Sequence, residues 1–383
     1  MTAALTRQFA QKIIDWQLVA GRHGLPWQNT RDPYKVWLSE IMLQQTQVVT
    51  VIGFYQRFLD RFPAVAALAN APLDDVLALW SGLGYYSRAR NLHRCAQDVV
   101  ALHGGQFPKS AQLLQTLPGI GPSTAAAIAA FCFAERVAIF DGNVKRVLSR
   151  LVAYSADLAV AKNAQQLWAV ATDLLPKSNL ARAMPQYTQA IMDLGATLCT
   201  TRKPQCVVCP VQALCKGFAT GQPSTFPIKT KKLRRSANYL SLLWAKRSDG
   251  SVWLERRPVP GVWGGLHCFP IFESEPALLA CLLPRSGQSI THLPQFKHVL
   301  THKDLHLSPI KLELSAGQQA LVGESAAAGR WFSAAEWPGL GLPAPVRKLL
   351  ESEPLQPSDN ARLPTVQLAV ANECLPLVLK TFG

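Results

Sequence analysis

No stretch of this 383-residue chain approaches the ~18 uninterrupted apolar residues of a membrane-spanning helix, so no helical membrane anchor is expected. The opening residues, "MTAALTRQFAQKIIDWQLVAGR", mix apolar and polar positions at helical spacing. They have neither the continuous apolar centre nor the small-residue cleavage site of a secretory signal. A cytoplasmic protein is expected, associated with nucleic acid through its charge, with reduced thiols and no disulfides. Acidic residues are scarce: 24 Asp and Glu face 39 Lys and Arg, for a net charge of +15. That excess points to a polyanion as partner, although an inert basic surface gives the same figure. Hydrophobic residues make up 49% of the chain, which excludes wholesale disorder, and the length suggests two domains.

Nothing before about Lys216 reads as sheet. Segments such as "DPYKVWLSEIMLQQTQVVTVIGFYQRFLDRF" place apolar residues at three- and four-residue intervals, and about ten helices are expected there. "FPAVAALANAP", "HGGQFPKS" and "LPGIGP" interrupt them with turn-forming Pro and Gly. A polar stretch, "GFATGQPSTFPIKTKKLRRSANY", follows; it is basic from Lys229 to Arg235, as suits a linker that runs along phosphates. Beyond it the pattern changes to β. "NYLSLLWAKRSDGSVWLERRP" reads as a hairpin around Ser-Asp-Gly. "HVLTHKDLHLSPIKLEL" and "AAGRWFSAAEW" add strands, and "PAPVRKLLES" a short helix. The tail from about Ser352 has no assigned role.

Two local features carry chemistry. Cys199, Cys206, Cys209 and Cys215 are separated by six, two and five residues. Four reduced thiols so grouped suit either zinc or an iron–sulfur cluster, and the single Cys-x-x-Cys pair does not decide between them. In "LQTLPGIGPSTAAAIAAFCF", Gly119 and Gly121 permit a tight turn, and Pro122 suits the first turn of the next helix. The exposed amides at that helix start form an anion site. With the net charge, this reads as a helix-hairpin-helix that grips a DNA backbone without reading sequence.

This hairpin, "VAIFDGNVKRVLSRL" and the cysteine loop together resemble the endonuclease III branch of the helix-hairpin-helix DNA glycosylases. "LPWQNTRDPYKVWLSEIMLQQTQV", "LWSGLGYYSRARNLH" and "GVWGGLHCFP" narrow the resemblance to the adenine DNA glycosylases. The implied architecture is multidomain: an all-α glycosylase domain with an iron–sulfur cluster loop, followed by an α+β Nudix-like domain. The expected boundaries are 1–218 for the glycosylase domain, with a bundle at 24–134 and a cluster subdomain from 1–23 plus 135–218. A basic linker at 219–236, the Nudix-like domain at 237–351 and the tail at 352–383 complete the chain. The resemblance implies a [4Fe–4S] cluster on the four cysteines. It also implies a monomer acting on double-stranded DNA that carries adenine opposite 8-oxoguanine or guanine.

Releasing a purine from deoxyribose requires an acid that protonates the base and an anion that stabilises the sugar cation, after the base has left the duplex. On pattern alone Glu40 is a helix glutamate beside Trp37, and Asp141 an N-cap. The resemblance makes Glu40 the general acid and Asp141 the cation stabiliser, with Asn143 as a polar helper. Ser123 occupies the position where strand-cutting relatives carry a lysine nucleophile, so a monofunctional enzyme is expected. Gln45 and Tyr85 match intercalating residues, Arg88 and Arg90 suit phosphates, Lys145 and Arg146 are phosphate contacts or solvated charges, and Trp27 matches the lining of the adenine pocket. Leu300, Thr301 and His302 stand where the family reads 8-oxoguanine through Phe-Ser-His. Only Glu273 and Glu275 lie between Phe272 and Arg285, too few acids for the magnesium-binding helix of a working Nudix hydrolase. The competing readings are an endonuclease III-like pyrimidine glycosylase/lyase and a non-catalytic DNA-binding protein with a zinc knob.

Overall fold

The computed structural model describes residues 3–230, 235–282, 289–314 and 329–353. The expected linker residues 231–234 and the tail from 354 onward lie outside the described residues. The chain divides into two compact units: Met1–Asn70 with Asn91–Lys232, and Ala71–Arg90 with Leu233–Gly383.

The helices run in the order α1 (Ala3–Ala20), α2 (Pro33–Leu43), α3 (Val48–Arg61), α4 (Val65–Ala69), α5 (Leu73–Trp80), α6 (Tyr86–His103) and α7 (Ala111–Leu114). Next come α8 (Pro122–Phe133), α9 (Gly142–Leu151), α10 (Ala161–Asp173), α11 (Leu180–Asp193) and the short α12 (Lys216–Ala219). In the first unit, α2 starts where Asp32 accepts the Tyr34 amide at 2.9 Å, with Pro33 in the first turn. It buries Val36, Trp37, Leu38, Ile41 and Met42, and the Trp37 ring lies 5.2 Å from that of Phe107. The centre of α8 is buried on every side, Ala125 to Ala130 having no exposed surface, as the apolar run after Ser123 and Thr124 requires. One core unites its alanines with Phe9 and Ile13 of α1, Val144 and Leu148 of α9, Leu167 of α10 and Ile191 of α11.

In the second unit the strands are β1 (Ser236–Arg247), β2 (Val252–Arg256), β3 (His267–Cys268), β4 (Ile271–Phe272), β5 (Ser289–His292), β6 (Phe296–Val299), β7 (Lys303–Leu314) and β8 (Gly329–Phe332). Helices α13 (Glu275–Ala280) and α14 (Ala344–Glu351) accompany them. The β1–β2 turn forms at Ser-Asp-Gly as the sequence suggests: Gly250 has φ +80°, and Asp249 accepts the Ser251 amide at 2.8 Å. The sheet order is β3-β2-β1-β7-β5, and β1 pairs with β7 in parallel while the other pairs are antiparallel.

Residues 71–90, read from the sequence as part of the helical domain, belong to this second unit. The reason is local packing. Ser81 Oγ donates to the Leu342 carbonyl at 2.9 Å, and Tyr86 donates to the same carbonyl at 3.1 Å. Arg256 donates to the Asp74 carboxylate at 2.6 Å. A Cβ on Gly341 would lie 2.7 Å from that of Leu77, so only glycine admits this approach.

Candidate active site

Glu40 and Asp141 reach one cavity of about 1480 Å³ in the first unit from two different helices. Glu40 projects from α2 on a turn whose neighbours are buried apolar side chains. Removal from water, with Asp141 nearby, pushes its pKa up to about 8, so its carboxyl holds a proton at neutral pH. Asp141 caps α9 and accepts the Val144 amide at 2.8 Å. Burial raises its pKa also, but the Val144 and Asn143 amides, Arg146 and Lys145 all act to lower it. Glu40 has no such donors among the causes of its shift. Burial raises both carboxyls, but only at Asp141 do amides and cations act against it.

The surroundings hold this pair. Ser123, expected only as the residue replacing a nucleophilic lysine, also serves the fold. Its hydroxyl accepts the Phe140 amide at 2.9 Å, fixing the segment that leads into Asp141. Gln44 donates to Thr124 Oγ1 at 3.3 Å, joining the end of α2 to the first turn of α8. Asn143 accepts from Arg146 at 2.7 Å, and Arg146 donates to the Gly195 and Cys199 carbonyls at 2.6 and 2.7 Å. Trp27 lines the cavity and packs edge-on against Tyr55.

A further group was missed from the sequence. Asp193 is wholly buried and accepts from the Arg22 amide at 2.9 Å, from Arg22 Nε at 2.8 Å and from Gln189 at 2.8 Å. Arg22 and Gln189 line the cavity. Arg22 and Asp193 are 171 residues apart, and no local pattern marks such a pair.

The hairpin glycines differ. Gly119 has φ +76°, and a Cβ there would lie 2.8 Å from that of Asn91. Gly121 has φ −80° and open space where a Cβ would project, so its turn does not itself demand glycine. Gln45 is exposed at the cavity rim with φ +57°, and Tyr85, 40% exposed in the second unit, has φ +49°. Left-handed backbone at a non-glycine residue costs about 1–2 kcal/mol, and such strain gathers at functional positions.

Arg88, expected at a phosphate, is instead 8% exposed; it donates to the Leu83 and Gly84 carbonyls at 3.2 Å and lies over the Trp80 and Tyr85 rings. Burial lowers its pKa to about 10. It braces the Tyr85 turn from within. Arg90 likewise donates to the Gly264 carbonyl at 2.5 Å. Leu300, Thr301 and His302 form the turn between β6 and β7. The Tyr85 and Thr301 hydroxyls are hydrogen-bonded, so the second unit brings an expected intercalating residue beside an expected 8-oxoguanine contact.

All four cysteines border one small cavity of about 30 Å³, walled by Val147, Leu151, Leu194, Leu198 and Val211. Burial first, then the neighbouring thiols, raise the pKa of Cys206; Cys209 is pushed up to about 11. Arg150 is buried beside them, donating to Cys199 Sγ at 3.3 Å and to the Thr200 carbonyl at 2.7 Å. Gly217 lies flat on its backbone: a Cβ there would be 2.6 Å from the Arg150 oxygen. Among the described residues no three His, Cys, Asp or Glu side chains are placed to ligate one ion. Four thiols bordering one cavity are a donor set that fits an iron–sulfur cluster, and one that a tetrahedral zinc also takes.

Among the described residues no helix is long and apolar enough to cross a membrane. Residues 38–172 match the HhH-GPD superfamily of base excision DNA repair proteins, and residues 242–352 match the NUDIX domain. The chain is 36% identical to the adenine DNA glycosylase of Buchnera aphidicola subsp. Baizongia pistaciae over 90% of this chain and 96% of the relative. It is 32% identical to that of Homo sapiens over 89% of this chain and 73% of the relative. A solved thermostable thymine-DNA glycosylase is similar over 57% of this chain and 98% of its own, at 26% identity and a TM-score of 0.49. With two carboxyls on one cavity in its helical unit and relatives at 36% and 32% identity covered over 96% and 73% of their lengths, the chain belongs to the adenine DNA glycosylase family of base-excision repair proteins.

Proposed function

We propose that this protein is a monofunctional hydrolase that removes adenine mispaired with 8-oxoguanine or guanine in double-stranded DNA. The observation that carries the reading is two carboxyls on one cavity: Glu40, kept protonated by burial, and Asp141, whose charged form is favoured by amides and cations that act against its burial. An extruded adenine would take the Glu40 proton at N7, which turns the base into a neutral leaving group as the bond from C1′ to N9 breaks. The sugar is left as an oxocarbenium ion, stabilised by the Asp141 carboxylate. Water adds at C1′ and its proton passes to the Glu40 carboxylate, restoring the acid. Ser123 has no amine with which to form a Schiff base, so the strand stays intact.

The rest of the assignment follows the same reading. Cys199, Cys206, Cys209 and Cys215 would hold a [4Fe–4S] cluster, whose part is to fix the loop carrying Arg202, Lys203 and Lys216 toward DNA. Gln45 and Tyr85 would fill the space left by the extruded base. Thr301 and His302 would contact the opposite base, with Leu300 supplying bulk where relatives have an aromatic ring. The protein would act as a monomer in the cytoplasm, at the nucleoid.

The test uses excess protein and an end-labelled duplex with 8-oxoguanine opposite adenine, half of each sample being treated with hot alkali. Cutting at the adenine only after alkali, lost in Glu40→Gln, is the expected result. Cutting without alkali would overturn the monofunctional assignment. Binding with no cutting under either condition would overturn the substrate.

A further inference from the structure

Two lysines, one on α9 and one at the cavity wall, lie on the side of Asp141, and among the described residues neither forms an ion pair with a carboxylate. Lys145 lies one turn into α9, its amide donating to the Asp141 carbonyl at 2.9 Å. Its ammonium sits 5.0 Å from the centre of the Phe140 ring, which is stacked on Trp168. That arrangement fixes where the charge is presented. Lys229 arrives from the segment after the cysteine loop and borders the cavity that holds Glu40 and Asp141. Burial first, then the charge of Lys229, lowers the Lys145 pKa, while the Asp141 carboxylate acts to raise it.

Lys229 does not hang on a loose linker. Arg150 Nε donates to the Phe226 carbonyl at 3.2 Å, and the Leu158 amide donates to the Ile228 carbonyl at 3.1 Å. Asp157 accepts from the Thr230 amide at 3.3 Å and from the Thr230 hydroxyl. The residues on both sides of Lys229 are therefore tied to the helical unit, and its side chain is exposed at the end of a short, fixed arm. Two cations held together repel each other unless an anion lies between them. A nucleotide placed in the cavity brings its own flanking phosphates to the mouth.

We propose that Lys229 and Lys145 clamp one phosphate flanking the extruded nucleotide, so that its sugar is positioned against Asp141. This rests on the glycosylase reading, but it assigns Lys229 a single defined phosphate and not a general place along the backbone. Lys229 is a positioning residue and takes no part in bond breaking.

The experiment compares the full-length protein with Lys229→Gln and Lys229→Arg, measuring duplex binding between 50 and 200 mM salt. Loss of one phosphate contact lowers the salt slope by about 0.9, so the parent-to-Gln affinity ratio should shrink about three- to fourfold over that range. At 0.1 M salt Lys229→Gln should bind about tenfold more weakly, and Lys229→Arg should keep the parental slope. The same proteins are then tested on duplexes carrying a neutral methylphosphonate at single phosphates on either side of the target adenosine. One substitution should weaken the parent and leave Lys229→Gln unchanged. An unaltered slope in Lys229→Gln, or equal weakening of both proteins at every position, would overturn the clamp. If the parent removes adenine normally in that case, the glycosylase reading stands without it. A parent that binds no duplex would remove both.

Discussion

Glu40 shows how much a residue's surroundings can decide. With a pKa near 8 it is an acid at neutral pH, and the excision rate under single turnover should fall about tenfold per pH unit above that value. Glu40→Gln should lower the rate by about 10²–10⁴-fold. The same shift acts on stability. A carboxyl whose pKa rises on folding, from 4.5 to about 8, favours the folded state fully below the lower value, and that contribution is lost as pH rises through the upper one. Glu40→Gln cannot ionise, so it should melt higher than the parent at pH 8 and lose that advantage near pH 5, as thermal unfolding at both pH values would show. Asp193 is also buried, and donors from Arg22 and Gln189 meet its oxygens. Asp193→Ala leaves Arg22 unpaired and should cost about 3–5 kcal/mol in denaturant unfolding.

Helix α9 separates capping from charge. Asparagine caps a helix as well as aspartate does, whereas alanine does not. Asp141→Asn should therefore keep its melting temperature and lose adenine release, while Asp141→Ala should lose the release and about 1 kcal/mol of stability as well. In the hairpin, Gly119→Ala should cost about 1–3 kcal/mol because both its backbone angle and the Asn91 side chain oppose it. Gly121→Ala should leave unfolding nearly unchanged, since nothing occupies the space. The hairpin was legible because Pro, Gly and a small-residue helix are local signals, and so was the Ser-Asp-Gly turn. Short elements such as β3 and β4 were not legible, because two residues carry no period and their pairing depends on strands far along the chain. Arg88 was misplaced for a related reason: a sequence shows a cation after a glycine turn but not the carbonyls that fold back over it.

Taken whole, the chain joins a helical unit whose class was evident from periodicity to a mixed-sheet unit whose strands were mostly evident from alternation. The roles of Glu40 and Asp141 came from family resemblance, since pattern alone made one a surface glutamate and the other a cap. Neither the parallel pairing of β1 with β7 nor the transfer of residues 71–90 to the second unit leaves a local trace. The cysteine loop is poorly supported by its own apolar contacts: Val207 is 85% exposed, and Cys206–Val208 and Gln212–Leu214 are single 3₁₀ turns. On the proposed cluster assignment, oxidant and chelator should therefore open 200–214 to protease while the far-UV helical signal largely persists, as limited digestion and circular dichroism would show.

The assignment of residues 71–90 also sets a problem of timing during synthesis. Ser81 finds its carbonyl partner 261 residues later in the chain. At about 5–20 residues per second, that partner leaves the ribosome some ~13–50 s after Ser81 does. Throughout that interval Leu77 lacks the Gly341 backbone that will lie against it. An apolar helix face is thus displayed by a nascent chain whose surrounding helices can already be packing, a natural landing place for a chaperone.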